Sequence, residues 1–165
     1  MKLKDLKKLP PLNLPYADLR ISANQHGELI VFDPLRKKNV VLTPEEFVRQ
    51  NFIHWLNTEK KYPLSLLQNE VGVKLNDTVK RCDTIAYNRN GNPLAIIEYK
   101  APDIEITQDV FDQIYRYNLS LRADLLIVSN GRRHFCCKMD YRQNSYHFIP
   151  VIPTFNEAMG LPMEN

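Results

Sequence analysis

Two apolar runs, "RCDTIAYN" at residues 81–88 and "LAIIEYK" at 94–100, flank the pentapeptide "RNGNP", and this arrangement restricts the fold more than any other feature of the chain. Asn-Gly favours a two-residue type I′ turn because both residues tolerate positive φ. With Asn90 and Gly91 as that turn, Tyr87 stands opposite Leu94 and Ile85 opposite Ile96. The same register sets Asp83 opposite Glu98 and Arg81 opposite Lys100, all on one face.

The charged end of this ribbon is unusual. Like charges directly opposite one another are unfavourable, whereas unlike pairs contribute a few tenths to about 1 kcal/mol. A hairpin built for stability alone would set Glu against Lys or Arg. Two carboxylates whose Cβ atoms stand about 5 Å apart must share a proton or a cation. Mg²⁺ suits them: it takes oxygen ligands at about 2.1 Å, keeps several waters and needs only one or two protein carboxylates. Asp83 and Glu98 are therefore candidate metal ligands, with the backbone carbonyl of Tyr99 as a third oxygen. Lys100, about 7 Å further along the same face, is placed to orient a water. Such a set suits phosphodiester hydrolysis. The competing reading, an ordinary charged strand end, holds if Asp83 and Glu98 fall on opposite faces.

The remaining sequence supplies a body for this ribbon. Its 165 residues fit one domain, and 44% hydrophobic with 25% charged residues is the composition of a folded chain. "GELIVFDPLRKKNVVL" predicts an N-terminal hairpin over residues 28–42 with a basic turn. "TPEEFVRQNFIHWLNTEKKYP" predicts a helix capped by Thr43 and opened by Pro44. Glu46 completes a capping box there, and Phe47, Val48, Phe52, Trp55 and Leu56 form one apolar face. Strands are expected for "SLLQNEVGV", "TVKRCDTIAYN", "LAIIEYK", "ADLLIVSNG", "RHFCCKM" and "SYHFIPV". "TQDVFDQIYRYNLSLR" reads as a helix with Val110, Phe111, Ile114, Tyr117 and Leu121 in one stripe. The tally is a mixed α/β domain over residues 20–153. A basic, proline-containing segment, 1–19, is expected to be solvated, and a tail, 154–165, loosely held. Without a signal-peptide core or an apolar run of about 18 residues, the expected location is the cytoplasm, away from membranes. Cys82, Cys136 and Cys137 lack C-x-x-C spacing and read as structural; the adjacent pair should point to opposite faces of a strand.

"RCD", fourteen residues and then "EYK" resembles the D-x(n)-E-x-K core of the PD-(D/E)XK nuclease superfamily. "QIYRY", Gln113 to Tyr117, is similar to the Q-x-x-x-Y motif that accompanies this core in RecB-like members. The capped helix, "KRCD", "IIEYKAP" and "IVSNG" together look like the N-terminal nuclease domain of type I restriction enzyme R subunits, from about residue 40 to 150. The resemblance implies a restriction-endonuclease-like fold, a central mixed sheet flanked by helices. It implies Mg²⁺-dependent cleavage of DNA, with Mn²⁺ as a substitute, Asp83 and Glu98 as metal ligands, and Lys100 as the catalytic lysine. Gln113 would act from the helix, while Tyr117 is read as core. Cys82 stands where the superfamily name has Pro. Many members add a glutamate from the first helix: Glu46 is accounted for by capping, and Glu45 lies nearer the apolar face. The sequence leaves no room for the helicase motor that follows this domain in restriction subunits. A stand-alone chain would keep cleavage or serve as a silent nucleic-acid-binding or protein-interaction subunit, alongside other restriction or DNA-processing subunits.

DNA as partner requires cations. Lys80, Arg81, Arg89, Arg36, Lys37, Lys38, Arg132 and Arg133 lie at expected strand ends or turns, within reach of phosphates. A net charge of only +3 predicts modest, salt-sensitive binding without intrinsic sequence specificity.

Overall fold

The computed structural model describes residues 1–75 and 78–161. In chain order the elements are α1 (Leu3–Leu6), β1 (Ile21–Ala23), β2 (Leu29–Asp33), β3 (Lys38–Val41), α2 (Pro44–Thr58), β4 (Leu67–Leu75), β5 (Thr78–Tyr87), β6 (Pro93–Tyr99), α3 (Gln108–Leu121), β7 (Leu125–Ser129), β8 (His134–Asp140), β9 (Ser145–Ile149) and α4 (Phe155–Ala158). β4 to β9 form one six-stranded sheet in sequence order. It is antiparallel except where β6 and β7 run parallel, joined by the crossover helix α3. This is the expected mixed sheet flanked by helices, a restriction-endonuclease-like core.

The two sheet faces bury different sets of residues. On one, α2 contributes Val48, Phe52, Ile53 and Leu56 against Ala86, Ala95, Ile97, Tyr99, Leu125 and Ile127. On the other, Phe111, Ile114 and Tyr117 of α3 pack on Ile85, Ile96, Leu126 and Val128. Strand alternation explains the split, and it also sends Cys136 to the first core and Cys137 to the second. All three cysteines are free and buried.

The start of α2 follows the sequence reading only in part. Thr43 Oγ1 accepts the Glu46 N–H at 3.0 Å and Pro44 opens the helix. The Glu46 carboxylate does not complete the capping box; it instead accepts from Arg36 Nη2 at 2.6 Å, Gln50 Nε2 at 2.8 Å and Arg49 Nη1 at 3.0 Å. Of these, Arg36 comes from outside the helix, because α2 is covered on its outer side as well. The expected hairpin over residues 28–42 gains a third strand, β1, and becomes a small antiparallel sheet. Its core of Leu29, Val31 and Leu42 packs on Phe47.

The termini depart from expectation. Leu12 and Leu14 pack on the main core, Asn13 N–H donates to the Gly131 carbonyl at 2.7 Å, and Leu29 N–H donates to the Met1 carbonyl at 2.8 Å. This segment is thus anchored to the domain and not a free solvated tail: Leu6, Leu12, Leu14 and Leu19 give it an apolar side while its lysines stay exposed. At the other end Phe155 is 2% exposed and meets Tyr62 edge-on. The expectation for residues 162–165 lies outside the described residues. No described helix is long and apolar enough to cross a membrane.

Candidate active site at the end of the central ribbon

The β5–β6 hairpin reaches the expected register by an unexpected route. A three-residue loop, Arg89 to Gly91, is closed by the Asn88 N–H bond to the Asn92 carbonyl at 2.8 Å, and Asn88 Oδ1 accepts from the Asn90 and Asn92 N–H groups. Only Gly91, at φ 80°, takes a positive φ. The type I′ turn is therefore absent, and Tyr87 pairs with Pro93 instead of Leu94. A bulge then inserts Leu94, and Ala86–Ala95, Ile85–Ile96 and Thr84–Ile97 pair as foreseen.

Regular pairing stops at that last rung, so neither Asp83–Glu98 nor Arg81–Lys100 forms as a rung. Cys82 packs beneath α3, whereas Thr84 Oγ1 donates to Asn69 on the α2 side. Strand alternation thus lapses at Asp83. Glu70, its neighbour on β4, has φ 58°, a left-handed residue that interrupts the alternation there without shifting the β4–β5 register. Asp83 turns its carboxylate to the end of β6: Oδ2 accepts the Tyr99 N–H at 2.8 Å and Oδ1 accepts from Arg49 Nη2 at 2.9 Å. Arg81 leans toward Glu70 at 3.4 Å, and Lys100 Nζ lies 3.6 Å from Glu98 Oε1.

Asp83, Glu98 and Lys100 nevertheless form one electrostatic group. Burial, then the charge of Asp83, pushes the Glu98 carboxyl up to about 8, against the pull of Lys100. Asp83 is also raised by burial, opposed chiefly by Arg49. Burial and then Asp83 raise Glu45, so the first turn of α2 faces the same group. Glu98 Oε2 is buried without a hydrogen-bond partner. An orphaned carboxylate oxygen beside other acids is the chemistry a hard divalent cation satisfies. Asp83 fits the same role, since a carboxylate offers about four acceptor sites and two are taken. Among the described residues no three His, Cys, Asp or Glu side chains form a ready-made cage, so water would complete the ligand set. The backbone carbonyl of Tyr99 sits between the side chains of Glu98 and Lys100 in sequence, while its ring is fully buried on the α2 side.

Gln113 is placed elsewhere. It is exposed on α3, donates to Tyr117 Oη at 2.7 Å and shares a hollow of about 490 Å³ with Lys80, Asp109, Asp112 and Arg116. No hydrogen bond joins it to the carboxylates. Tyr117 is core, at 8% exposure. The residue missing from the sequence reading is Arg49, whose guanidinium bridges Glu46, Glu70 (2.7 Å) and Asp83 and lies 5.6 Å over the Tyr99 ring. Its signal was a charge set within the apolar stripe between Val48 and Phe52. The basic residues also separate: Arg36 is consumed by Asp33 and Glu46, and Arg89 lies over Phe155 at the far end of the ribbon. Arg132 and Arg133 remain exposed in the turn after β7.

The mixed six-stranded sheet flanked by helices is a fold of the restriction-endonuclease-like class. Within it, residues 44–153 match the family described as "Type I restriction enzyme R protein N terminus (HSDR_N)", and the chain belongs to that family. Among solved structures, a fragment assigned as an HsdR subunit of a type I restriction enzyme from Vibrio vulnificus YJ016 superposes with a TM-score of 0.53 at 17% identity. The match covers 72% of this chain and 25% of that one, so this domain corresponds to a quarter of its neighbour's length. A DUF820 protein from Anabaena variabilis ATCC 29413 assigned as a nuclease is also similar, with a TM-score of 0.45, 15% identity and coverage of 99% and 94%. No curated protein matches the chain.

Proposed function

We propose that this domain is a Mg²⁺-dependent nuclease that hydrolyses phosphodiester bonds in DNA, working with other restriction or DNA-processing subunits in the cytoplasm. The observation that carries the proposal is the buried, unpartnered Glu98 Oε2 beside Asp83 and Lys100. Asp83 and Glu98 would hold the cation. Once bound, Mg²⁺ supplies Lewis-acid polarisation of a phosphoryl oxygen and a lowered pKa for coordinated water. Arg49 and the Tyr99 N–H fix the Asp83 carboxylate, so its orientation does not have to be established during the reaction. Lys100, tethered toward Glu98, holds the attacking water by an N–H bond and offsets negative charge that develops on phosphate.

One observation favours a second reading, a silent binding subunit: both Asp83 oxygens already accept hydrogen bonds. Plasmid nicking in Mg²⁺ or Mn²⁺ against EDTA separates the two. The nuclease reading expects nicking by the wild type, none in EDTA, and a loss of at least ~100-fold in Glu98→Ala and Lys100→Ala with unchanged circular dichroism. Equal nicking by wild type and both variants would exclude it.

A further inference from the structure

β5 extends past the carboxylates. Its rungs with β6 end at Thr84, but with β4 they continue through Val71–Cys82, Gly72–Arg81, Val73–Lys80 and Lys74–Val79. The six-stranded sheet therefore narrows beside the candidate active site to a two-stranded ribbon. One face of it is closed, since Val73 and Cys82 lie in the core with α3. The other carries Gly72, Arg81, Lys74 and Val79 by strand alternation, and it is bare. Val79 is 72% exposed, the Arg81 side chain is 72% exposed, and Lys74 and Gly72 are exposed. This face is continuous with the carboxylates: Arg81 meets Glu70, which meets Arg49, which meets Asp83.

We propose that this bare ribbon face is the duplex-DNA docking arm of the domain. Two strands about 4.8 Å apart fit a B-form major groove about 12 Å wide, which admits a two-stranded ribbon. Lys74 and Arg81 stand on adjacent same-face rungs to meet phosphates, and Val79, which stands over Gly72, presents a small apolar surface between them. The composition argues against other nucleic acids. Single-strand sites stack bases on aromatic rings, and among the described residues this face has none. A-form RNA has a major groove too deep and narrow for side chains to read. The proposal rests on the nuclease reading of Asp83, Glu98 and Lys100, and it adds which surface brings which substrate form to them.

Fluorescence anisotropy tests it with labelled duplex DNA, the matching single strand and an RNA duplex, in Ca²⁺ in place of Mg²⁺. The proteins are the wild type, the double variant Lys74→Ala with Arg81→Ala, and Arg89→Gln as a charge control at the far end. Thermal melting establishes that each is folded. The wild type should prefer duplex DNA. The double variant should lose at least ~10-fold in affinity, its log–log salt slope shallower by about 1.8 for two lost phosphate contacts, while Arg89→Gln is unchanged. Undiminished duplex binding by the double variant, an equal loss on single strands, or no duplex binding by the wild type overturns the inference. Nicking assays run in parallel separate the two claims. Ribbon-dependent binding without nicking rejects only the nuclease reading, and nicking with ribbon-independent affinity rejects only the arm.

Discussion

Arg49 holds the candidate site together one side chain at a time. Its guanidinium is 4% exposed and answers three carboxylates, two of them on different strands. Replacing it with Met leaves buried charges facing one another, and breaking such a set costs about 3–5 kcal/mol; urea denaturation of Arg49→Met should show a loss of that order. His134 gives a second expectation. Its Nε2–H donates to the Asn13 carbonyl at 2.9 Å, and the Ser129 hydroxyl lies 2.8 Å from Nδ1, which accepts from it when the ring is neutral. Burial depresses its pKa, against the opposing pull of the Asn13 bond. The unfolded chain then binds the proton more readily, so this stability is present above about pH 6.5 and is lost as the pH falls through the lower folded value. His134→Phe should flatten the stability–pH curve in that window. At this scale Asp83, Glu98 and Lys100 could be named from spacing and charge. Arg49 could not, because its value depends on partners 21 and 34 residues away and on a second sheet covering its helix.

The elements show why a correct register can follow from a wrong turn. Asn-Gly marks a hairpin reliably, but the loop type depends on side chains around it. Here Asn88 Oδ1 gathers two N–H groups and favours the three-residue loop, and the Leu94 bulge absorbs the offset. Gly91 has open space where a Cβ would stand, so Gly91→Ala should cost only the left-handed strain, about 1–2 kcal/mol. Gly131 has a similar φ of 79°, but its Cβ would stand 2.7 Å from Leu12 Cδ2 and 3.2 Å from Val48 Cγ2. Gly131→Ala should therefore be the more damaging in a chemical melt, and limited proteolysis should find the N-terminal segment loosened. For α2 the apolar stripe is legible, yet Gln50 and Asn51 are buried too. A stripe reveals one packed face; it carries no warning of a small sheet on the other side.

For the whole molecule, the sequence foretells the mixed class, the strands other than β1, and α3, while the order of the sheet needs long-range pairing that local patterns do not encode. The parallel β6–β7 step is such a pairing, since only the α3 crossover makes it possible. The first segment departs from expectation for a related reason: its lysines suggest solvent, and the surfaces that receive Leu12 and Leu14 lie far along the chain. Deleting residues 1–15 should lower the melting temperature measurably and not pass unnoticed. The Asn13 clasp on Gly131 and His134 spans 121 residues in its longer bond. During synthesis this segment therefore leaves the ribosome long before its receptor does. It must wait, with Leu12 and Leu14 unburied, until β7 and β8 have emerged, so a stretch made early is among the last to settle.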